Sequence, residues 1–430
     1  MAEFKPVKLS SPGHSDDGIA VEVLPYGLTI HKLLVQTDGR IHDIVIGPEN
    51  PTDHVAQKYT NSIVGRYVNR VPVGTHSFER NGVRGDITAL PNESPLVSLH
   101  GGPKGFDAVP WTLLTEKDAL QLFSKAEAAR IRAQPESSFA VFRLESPSGD
   151  QGYPGSLIVE VLVALISPDH QQKISENTPQ NEVDNRVGSL ALVYRAKLRE
   201  ANAVTPVNLT QHWGFNLEAS LNKGPETLSV KHHTLTIQAD KIAELDSDSL
   251  FTGRHVPLTP AHTHQAKPIG KDFPEKGYDD YYLFKDDLQS AVPTRIPLSS
   301  FNDDSDFVQD LLRSSDNPER GLRGPPAIEL ASERSGLKLL FDTNQRGTMF
   351  YSNALAKSSA GARKKIHGGS GVSGSGDAYD PHTAVFLELH HPLAAFLHTN
   401  EKAGEDTLLT SEELYHNYVR VDITSKQSPA

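Results

Sequence analysis

The sequence contains no cysteine. That absence excludes disulfide bridges, thiolate metal sites and a cysteine nucleophile. Long hydrophobic runs are also missing, since no stretch approaches the about 18 consecutive apolar residues of a membrane span. The segment 1–18 has no apolar core of signal-peptide length. We therefore expect a cytoplasmic protein that has no membrane partner.

Positive charge is in short supply, with 42 Lys and Arg against 54 Asp and Glu and a formal net charge of -12. An acidic surface argues against nucleic acid as a partner. Hydrophobic residues make up 37% of the 430 residues, enough to bury a sizeable core. This length suits one large all-β or α/β domain, or two to three average domains.

Amphipathic helical patterns are scarce, with candidates at 116–133 and 305–314. Short runs rich in Val, Ile, Leu and Thr recur instead, with partial period-two alternation and with Gly, Pro, Asn or Asp at their ends. These runs lie at 19–36, 156–166, 189–198, 234–239 and 384–390. Many short strands with few short helices predict an all-β fold, either a large sandwich or a barrel.

Four segments interrupt this pattern and are interpreted as loop insertions, near 115–137, 168–186, 301–326 and 357–382. Strand-like segments continue on both sides of each insertion. We therefore predict a single domain over 19–425, with an N-terminal extension at 1–18 and a C-terminal tail at 426–430. The last insertion is rich in Gly and Ser and is predicted to be a flexible surface loop.

Signatures of cofactor binding fail or are missing. The segment GSGVSG (369–374) matches the dinucleotide pattern, but it has no strand before it and no helix after it. Adjacent histidines occur at 232–233 and 390–391, and neighbours on a strand point to opposite faces, so such a pair does not readily share a metal. No HExxH motif and no Walker-type loop is present. We expect no metal and no organic cofactor.

Polar side chains interrupt apolar or tightly turning segments at five places. Each has an ordinary explanation as an edge charge, a turn former or a satisfied core histidine, and each also suits a ligand site. A carboxylate in a buried run is costly unless it is paired, and its pKa should rise toward the range of a general base. The residues concerned are Asn69 with Arg70, His100 before two glycines, His212, Asp279 with Asp280, and Glu388.

The glycines after His100 allow two interpretations. Gly101 and Gly102 either form a simple turn or allow the backbone to pack closely, so that the imidazole points at a ligand.

An acid–base pair with neutral hydrogen-bonding groups and aromatics suits a polyhydroxylated substrate and chemistry that only moves protons.

The order of these motifs resembles the aldose 1-epimerase (galactose mutarotase) family. Similar segments are IVGRYVNRVPVGTHSF, SLHGGPKGFDAVPW, TPVNLTQHWGFNL, KGYDDYYLF and FLELHHP, and the resemblance covers about 20–425 outside the insertions. It implies a large antiparallel β-sandwich, the supersandwich, whose concave face binds a sugar. The implied activity interconverts the α and β anomers of free aldoses such as glucose and galactose. The implied partner is a small monosaccharide, with the chain acting as a monomer or homodimer and without a cofactor.

The resemblance also implies roles for individual residues. Glu388 would be the general base at the anomeric hydroxyl, and His212 would be the general acid at the ring oxygen. Substrate hydroxyls would be bound by Asn69, Arg70, His100 and Asp279. The sequence departs from the family pattern at Gln211, Gly214, Asp280, Met349 and His390, which puts substrate preference and efficiency in question.

Two alternatives stay open. A hexose-6-phosphate mutarotase would need a further basic pair to hold the phosphate, and Arg346 and the ARKK segment (362–365) are candidate sources. A non-catalytic sugar-binding or regulatory protein would use the same scaffold. Retention of both Glu388 and His212 argues against that second alternative, since a protein that only binds needs neither proton carrier.

Overall fold

Strands dominate the computed structural model, which describes residues 2–12, 18–168, 184–288, 290–314, 324–398 and 405–426. In chain order the first are β1 (Val7–Ser10), β2 (Gly18–Leu24), β3 (Thr29–Thr37), β4 (Arg40–Asp43), β5 (Ile63–Val64), β6 (Arg70–Pro72), β7 (Gly74–Arg80), β8 (Val83–Ala89), β9 (Val97–Leu99), β10 (Thr112–Leu113), β11 (Phe139–Ser146), β12 (Leu157–Ile166), β13 (Asp184–Leu198) and β14 (Val204–Pro206). The others are β15 (Thr210–Gln211), β16 (Gly214–Phe215), β17 (Thr234–Ile237), β18 (Ala239–Leu245), β19 (Phe251–Pro257), β20 (Lys267–Pro268), β21 (Asp279–Phe284), β22 (Arg295–Pro297), β23 (Ile328–Ala331), β24 (Leu337–Thr343), β25 (Gly347–Tyr351), β26 (Val385–His390), β27 (Leu408–Thr410) and β28 (Glu413–Lys426).

The described residues form one α-helix, α1 (Lys125–Arg132). It begins at Ser124, whose hydroxyl accepts from the Glu127 N–H while the Glu127 carboxylate accepts from the Ser124 N–H. Short 3₁₀ turns lie at Ala2–Phe4, Pro51–Val55, Phe106–Ala108, Glu136–Ser138, Asp150–Gly152, Ala219–Leu221, Pro225–Thr227, Val230–His232, Asp286–Leu288, Lys365–His367 and Ala395–Leu397.

The helix predicted over 116–133 was therefore too long, and the helix predicted over 305–314 was wrong. Only the second half of 116–133 is helical, because the Gln121 and Leu122 N–H groups donate to the Glu160 carboxylate instead of to a preceding turn. The segment 305–314 forms turns, and the Phe307 N–H donates to Glu127 over 2.9 Å. At Gln121 and Leu122 a buried carboxylate takes the hydrogen bonds that a helix would have needed.

The strands pair into several antiparallel sheets. A ten-stranded sheet runs β10-β11-β12-β13-β28-β24-β23-β17-β20, with β22 also on β28, and a six-stranded sheet runs β16-β26-β25-β21-β18-β19. A four-stranded sheet runs β1-β2-β3-β4, and two-stranded ladders join β5 to β15, β6 to β9, β7 to β8 and β14 to β27. The prediction of a large antiparallel β-sandwich is confirmed.

The main core lies between the ten-stranded sheet and the two other large sheets, and it draws residues from Leu9 to Ile423. Strand alternation decides which side chains enter it. On β26, Leu387 and Leu389 belong to this core, while Glu388 faces the opposite side. We propose that 19–425 is a single domain on the basis of this shared core. Within the predicted extension 1–18, β1 pairs with β2.

The other face of the ten-stranded sheet is covered by the segments around α1 and 301–314. A second apolar cluster forms there, in which Phe123, Ile131 and Leu311 pack on strands β11, β12, β13 and β28. A fully buried ion pair joins α1 to the sheet, with Arg195 donating to Glu127 over 2.6 and 2.8 Å. Most of the predicted insertion 168–186, and residues 315–323 of the third insertion, lie outside the described residues.

The fourth insertion, 357–382, is packed into the molecule, although we predicted a surface loop. Lys364 is fully buried, and its ammonium donates to the Asp43 carboxylate and the Val45 carbonyl, each over 2.8 Å. The buried His367 imidazole lies 2.7 Å from both the Asp43 carbonyl and the Tyr379 hydroxyl. Composition did not indicate this position, because a lysine in a Gly/Ser-rich segment is usually solvated.

Candidate active site

A cleft of about 500 Å³ opens beside the six-stranded sheet. Its walls come from β21, β25 and β26, from the ends of β6 and β9, and from the segments 56–60 and 353–360. All the residues for which a site role was predicted line this one cleft: Asn69, Arg70, His100, His212, Asp279 and Glu388. The sequence therefore located the cleft, and the individual roles stay predictions.

Asn69 and His100 are positioned by the short β6–β9 ladder, in which Arg70 lies opposite Leu99. Both residues have positive φ angles, 64° and 51°, and the His100 N–H donates to the Asn69 carbonyl. The Asn69 N–H in turn donates to His100 Nδ1 over 3.2 Å. Because Nδ1 accepts this bond, the neutral His100 imidazole carries its proton on Nε2.

The glycine after His100 is required by a close approach of two backbone segments. A Cβ placed on Gly101 would lie 2.2 Å from the Gly65 carbonyl oxygen, and its φ is 86°. The close packing predicted for this motif is therefore present, and the neighbour that requires it is the Gly65 backbone. This packing fixes His100 against the segment that carries Asn69.

Arg70 is held at the edge of the cleft by two carboxylates. Its Nε and Nη2 donate to the two oxygens of Glu93 over 2.8 and 3.0 Å. Nη2 also lies 3.5 Å from the Asp279 carboxylate. A bidentate pair of this kind fixes the guanidinium plane, so Arg70 is oriented before any substrate enters.

Glu388 and His212 face each other across the base of the cleft. Glu388 lies on β26 opposite Met349, and His212 lies in the turn between β15 and β16. His212 Nε2 is 3.2 Å from Glu388 Oε1, while Glu388 Oε2 and His212 Nδ1 have no hydrogen-bond partner among the described residues. The second carboxylate oxygen is thus free to meet a ligand.

Burial shifts the pKa values of this pair in opposite directions. Loss of solvent, with a smaller contribution from Asp279, raises the pKa of Glu388 to about 8, although Arg70 opposes the change. Loss of solvent lowers the pKa of His212 to about 4. Between these values the pair holds a single proton, which a hydrogen bond of this length lets either group carry.

Aromatic rings surround His212. The His100 ring lies edge-on with centroids 5.1 Å apart, Tyr59 is 6.3 Å away and Phe386 is 4.9 Å away. A Cβ on Gly214 would lie 2.6 Å from the Phe386 ring. The space that a side chain at this departure from the family pattern would occupy is therefore filled by Phe386.

The other departures lie outside the cleft lining. Gln211 donates to the carbonyls of Leu28 and Asn61, and Asp280 lies 3.4 Å from His262 Nε2. Met349 is buried with Tyr281, and the His390 ring packs against Tyr281 with centroids 5.0 Å apart and the planes tilted by 33°. These replacements change what supports the cleft and not what faces it.

Sequence reasoning missed several lining residues. Tyr59 and Glu93 come from segments for which we predicted no role, and Phe386 stands two residues before Glu388. Period-two alternation on β26 was the available signal for Phe386, because it shares a face with Glu388. Tyr351 and Asn353 also line the cleft, from a segment without an assigned role.

The donor set at the base of the cleft does not fit a metal ion. One ligand atom each from His100, His212 and Glu388 lies within 4.8 Å of the others, a spacing that resembles a two-His, one-carboxylate site. A ligating imidazole must offer a lone pair. The lone pair of His100 Nδ1 is taken by the Asn69 N–H, and Nε2 carries the proton. His100 is therefore a hydrogen-bond donor to the cleft.

The basic groups considered for a phosphate lie elsewhere. Arg346 lines a different cavity and pairs with Asp286 and Glu405, each over 2.8 Å. Lys364 of the ARKK segment is buried against Asp43. Lys58 and Lys357 are the lysines that line the cleft within the described residues.

Comparison with known proteins gives consistent matches. The sequence model of the family described as aldose 1-epimerase matches residues 14–181 and 182–405. The human galactose mutarotase is 29% identical over 287 residues, which cover 65% of this chain and 68% of that protein. The aldose 1-epimerase of Escherichia coli K12 is 26% identical over 279 residues, covering 62% and 66%.

Solved structures share the fold. A GalM/aldose epimerase homologue from C. elegans superposes with a TM-score of 0.66 at 18% identity, covering 98% of this chain and 99% of that one. Galactose 1-epimerase from Lactobacillus acidophilus gives a TM-score of 0.60 at 17% identity, covering 96% and 93%. At these identities the likeness establishes the architecture.

Proposed function

This chain belongs to the aldose 1-epimerase family, and from that premise we propose that it interconverts the α and β anomers of free hexoses such as glucose and galactose. One observation carries the proposal. A carboxylate and an imidazole, Glu388 and His212, lie 3.2 Å apart at the base of a cleft otherwise lined by hydrogen-bonding and apolar side chains. Such a pair can move protons in both directions, as mutarotation requires.

The mechanism follows the proton. Glu388 removes the proton from the C1 hydroxyl while His212 gives a proton to the ring oxygen, and the bond between C1 and the ring oxygen breaks. The C1–C2 bond of the open aldehyde rotates, and the ring closes on the other face of C1 with the two roles reversed. The enzyme ends with the protons it began with. Each partner of such a pair contributes about 10²–10⁴-fold in rate.

The remaining side chains would hold the sugar. His100 would donate its Nε2 proton to the ring oxygen or a neighbouring hydroxyl, because its Nδ1 is occupied by the Asn69 N–H. Arg70, fixed by Glu93, and the half-exposed carboxylate of Asp279 would bind hydroxyls at the cleft mouth. Hydroxyl groups both donate and accept, so they suit this mixture of donors and acceptors.

A neutral sugar fits the cleft better than a phosphorylated one. Besides Glu388, which is mostly protonated near pH 7, the carboxylates of Glu93 and Asp279 line it and offset part of the charge of Arg70, Lys58 and Lys357. Arg70 is already bound to two of these carboxylates, so it offers no unpaired fork to a phosphate. The hexose-6-phosphate alternative therefore has weaker support.

Polarimetry tests the function. Fresh α-D-glucose and α-D-galactose are followed to equilibrium in a weakly catalytic buffer, with glucose 6-phosphate in a parallel run. We expect acceleration over the spontaneous rate with both free sugars. Acceleration with glucose 6-phosphate alone would establish the phosphosugar alternative. No acceleration, together with calorimetric sugar binding, would establish a non-catalytic binding protein.

The pH dependence of kcat/KM should be bell-shaped, with limbs near pH 4 and pH 8. Below pH 4 both Glu388 and His212 are protonated, so neither can accept the proton of the C1 hydroxyl. Above the upper limb Glu388 loses the last proton and the acid is lost. Rates measured by polarimetry from pH 3.5 to 9, with the spontaneous rate subtracted at each pH, check this. A rate that keeps rising from pH 8 to pH 9 would contradict it.

We also propose a cytoplasmic location and a monomer or homodimer, as expected from the sequence. None of the helices in the described ranges is long and apolar enough to cross a membrane. Fractionation of cells and sedimentation of the purified chain measure these two properties directly.

A further inference from the structure

A second cavity, of about 440 Å³, lies at the end of the β25–β26 pair where Gly347 is opposite His390. It shares no lining residue with the cleft. Gln345 and Arg346 reach it from the turn before β25, His391 from just beyond β26, and Arg295 from the first position of β22. The cavity is therefore separate from the proposed active site, although the strand that carries Glu388 runs up to it.

The guanidinium of Arg295 is buried, and the hydrogen bonds that it donates within the described residues go to backbone carbonyls. Arg295 is 8% exposed, and its three nitrogens donate to the carbonyls of Leu408, Thr294 and Val207 over 2.8, 3.0 and 3.2 Å. Its charged carbon lies 4.7 Å from the centroid of the Tyr415 ring. No carboxylate among the described residues accepts a hydrogen bond from it. Each Nη has a second N–H beyond these bonds.

The other two arginines of the cavity are paired. Arg80 donates to Glu413 and Asp406, and Arg346 forms ion pairs with Asp286 and Glu405. Their charges are therefore compensated within the protein. Arg295 differs, because its hydrogen bonds go to neutral carbonyl oxygens, and Asp406 and Glu413 act on its charge only from a distance while they pair with Arg80.

Two further polar side chains in the lining keep unused hydrogen-bonding capacity. Gln345 is 5% exposed, and its amide interacts with the Tyr415 hydroxyl, which leaves part of its two-donor and one-acceptor capacity unused. His391 is 2% exposed, and its Nδ1 has no partner, while Nε2 lies 3.2 Å from the Thr294 hydroxyl. Buried polar groups in native proteins are normally satisfied, so these groups can form hydrogen bonds with a ligand in the cavity.

We propose that this cavity is a second ligand site, which binds a small oxyanion, a carboxylate or a phosphate, through the Arg295 guanidinium, the Gln345 amide and the His391 imidazole. A guanidinium fork matches the paired oxygens of either anion. The amide and the imidazole supply the further donors that such oxygens accept. The site does not depend on the proposed function of the cleft.

Calorimetric titration of the full chain with inorganic phosphate, and separately with acetate, tests the proposal at constant ionic strength and without sugar. We expect saturable binding of at least one anion. Arg295→Met should weaken it at least about tenfold, because it removes a charge-assisted hydrogen bond. Gln345→Leu should weaken it in the same direction by a smaller factor.

Glu405→Gln is expected to strengthen anion binding, whereas the two other variants weaken it. It removes a carboxylate from the cavity lining and releases Arg346, so anion binding should become tighter. This variant and Gln345→Leu keep the test decisive if Arg295→Met does not fold, as judged by thermal unfolding. Absence of binding, binding unchanged in all folded variants, or displacement of the anion by galactose would overturn the proposal, since the last result would place the anion in the cleft.

Discussion

Replacing Glu388 with Gln is expected to lower the enzymatic rate of mutarotation by about 10²–10⁴-fold while sugar binding is retained. Gln has the shape of the protonated carboxyl but cannot accept the C1 proton. Burial raises the pKa of Glu388 to about 8, so the wild-type side chain is mostly protonated near pH 7 and the neutral replacement suits its surroundings. Polarimetry measures the rate, and calorimetric galactose titration measures the binding.

Asp280→Asn is the matched control for this experiment. Asp280 lies on the neighbouring part of the same sheet, but it faces His262 and not the cleft. Its rate should stay within about twofold of wild type, as for a carboxylate outside the machinery. An unchanged rate in Glu388→Gln would exclude Glu388 as the base, and an equal loss in both variants would point to a structural effect.

Stability provides a second readout on Glu388→Gln. The pKa of Glu388 is higher in the folded chain than its ordinary value, so its contribution to stability is present at low pH and is lost as pH rises through about 8. Glu388→Gln has no ionisable group at this position, so its stability does not fall for this reason as pH rises. Urea unfolding at pH 9 should therefore find Glu388→Gln more stable than wild type, and the difference should shrink at pH 5.

Replacing Glu127 with Gln is expected to cost about 3–5 kcal/mol in the free energy of unfolding. The substitution leaves Arg195 fully buried beside a neutral amide. It also weakens two backbone contacts, because the Glu127 carboxylate accepts from the Ser124 and Phe307 N–H groups over 2.9 Å each. The covering segments around α1 and 301–314 should loosen together. Urea unfolding of the full chain measures the change.

Glu79→Gln is the control for the buried pair. Glu79 and Arg84 form an exposed ion pair, with side chains 49% and 86% exposed, and such pairs are worth less than about 1 kcal/mol. The double replacement Glu127→Gln with Arg195→Met should recover part of the stability, since no unpaired charge stays buried. A Glu127→Gln variant within 1 kcal/mol of wild type would contradict the expected role of this pair.

The parts that the sequence predicted have local signals. Runs such as 189–198 show strand composition whatever they pair with, and Glu388 was identifiable because a carboxylate in an apolar run needs a reason to be there. Each predicted site residue could be identified because it belongs to a motif with a local pattern. Their side chains share one cleft because the fold brings these motifs together.

The parts that were missed depend on contacts between distant segments. Lys364 is buried only because Asp43, 321 residues earlier, lies under the fourth insertion. Glu93, in the loop before β9, fixes the Arg70 side chain by accepting a hydrogen bond from its Nε. The helix predicted over 116–133 was shortened by the Glu160 carboxylate. A single sequence contains no local trace of such pairings.

Because Lys364 is buried, Glu388 and one wall of the cleft are held by different contacts. Glu388 is held in place by the pairing of β26 with β25. The wall formed by Lys357 and Tyr379 belongs to an insertion fastened from below by Lys364 and Asp43. Substitutions in this wall that keep Lys364 and Asp43 are therefore expected to reshape the cleft without moving Glu388 and His212.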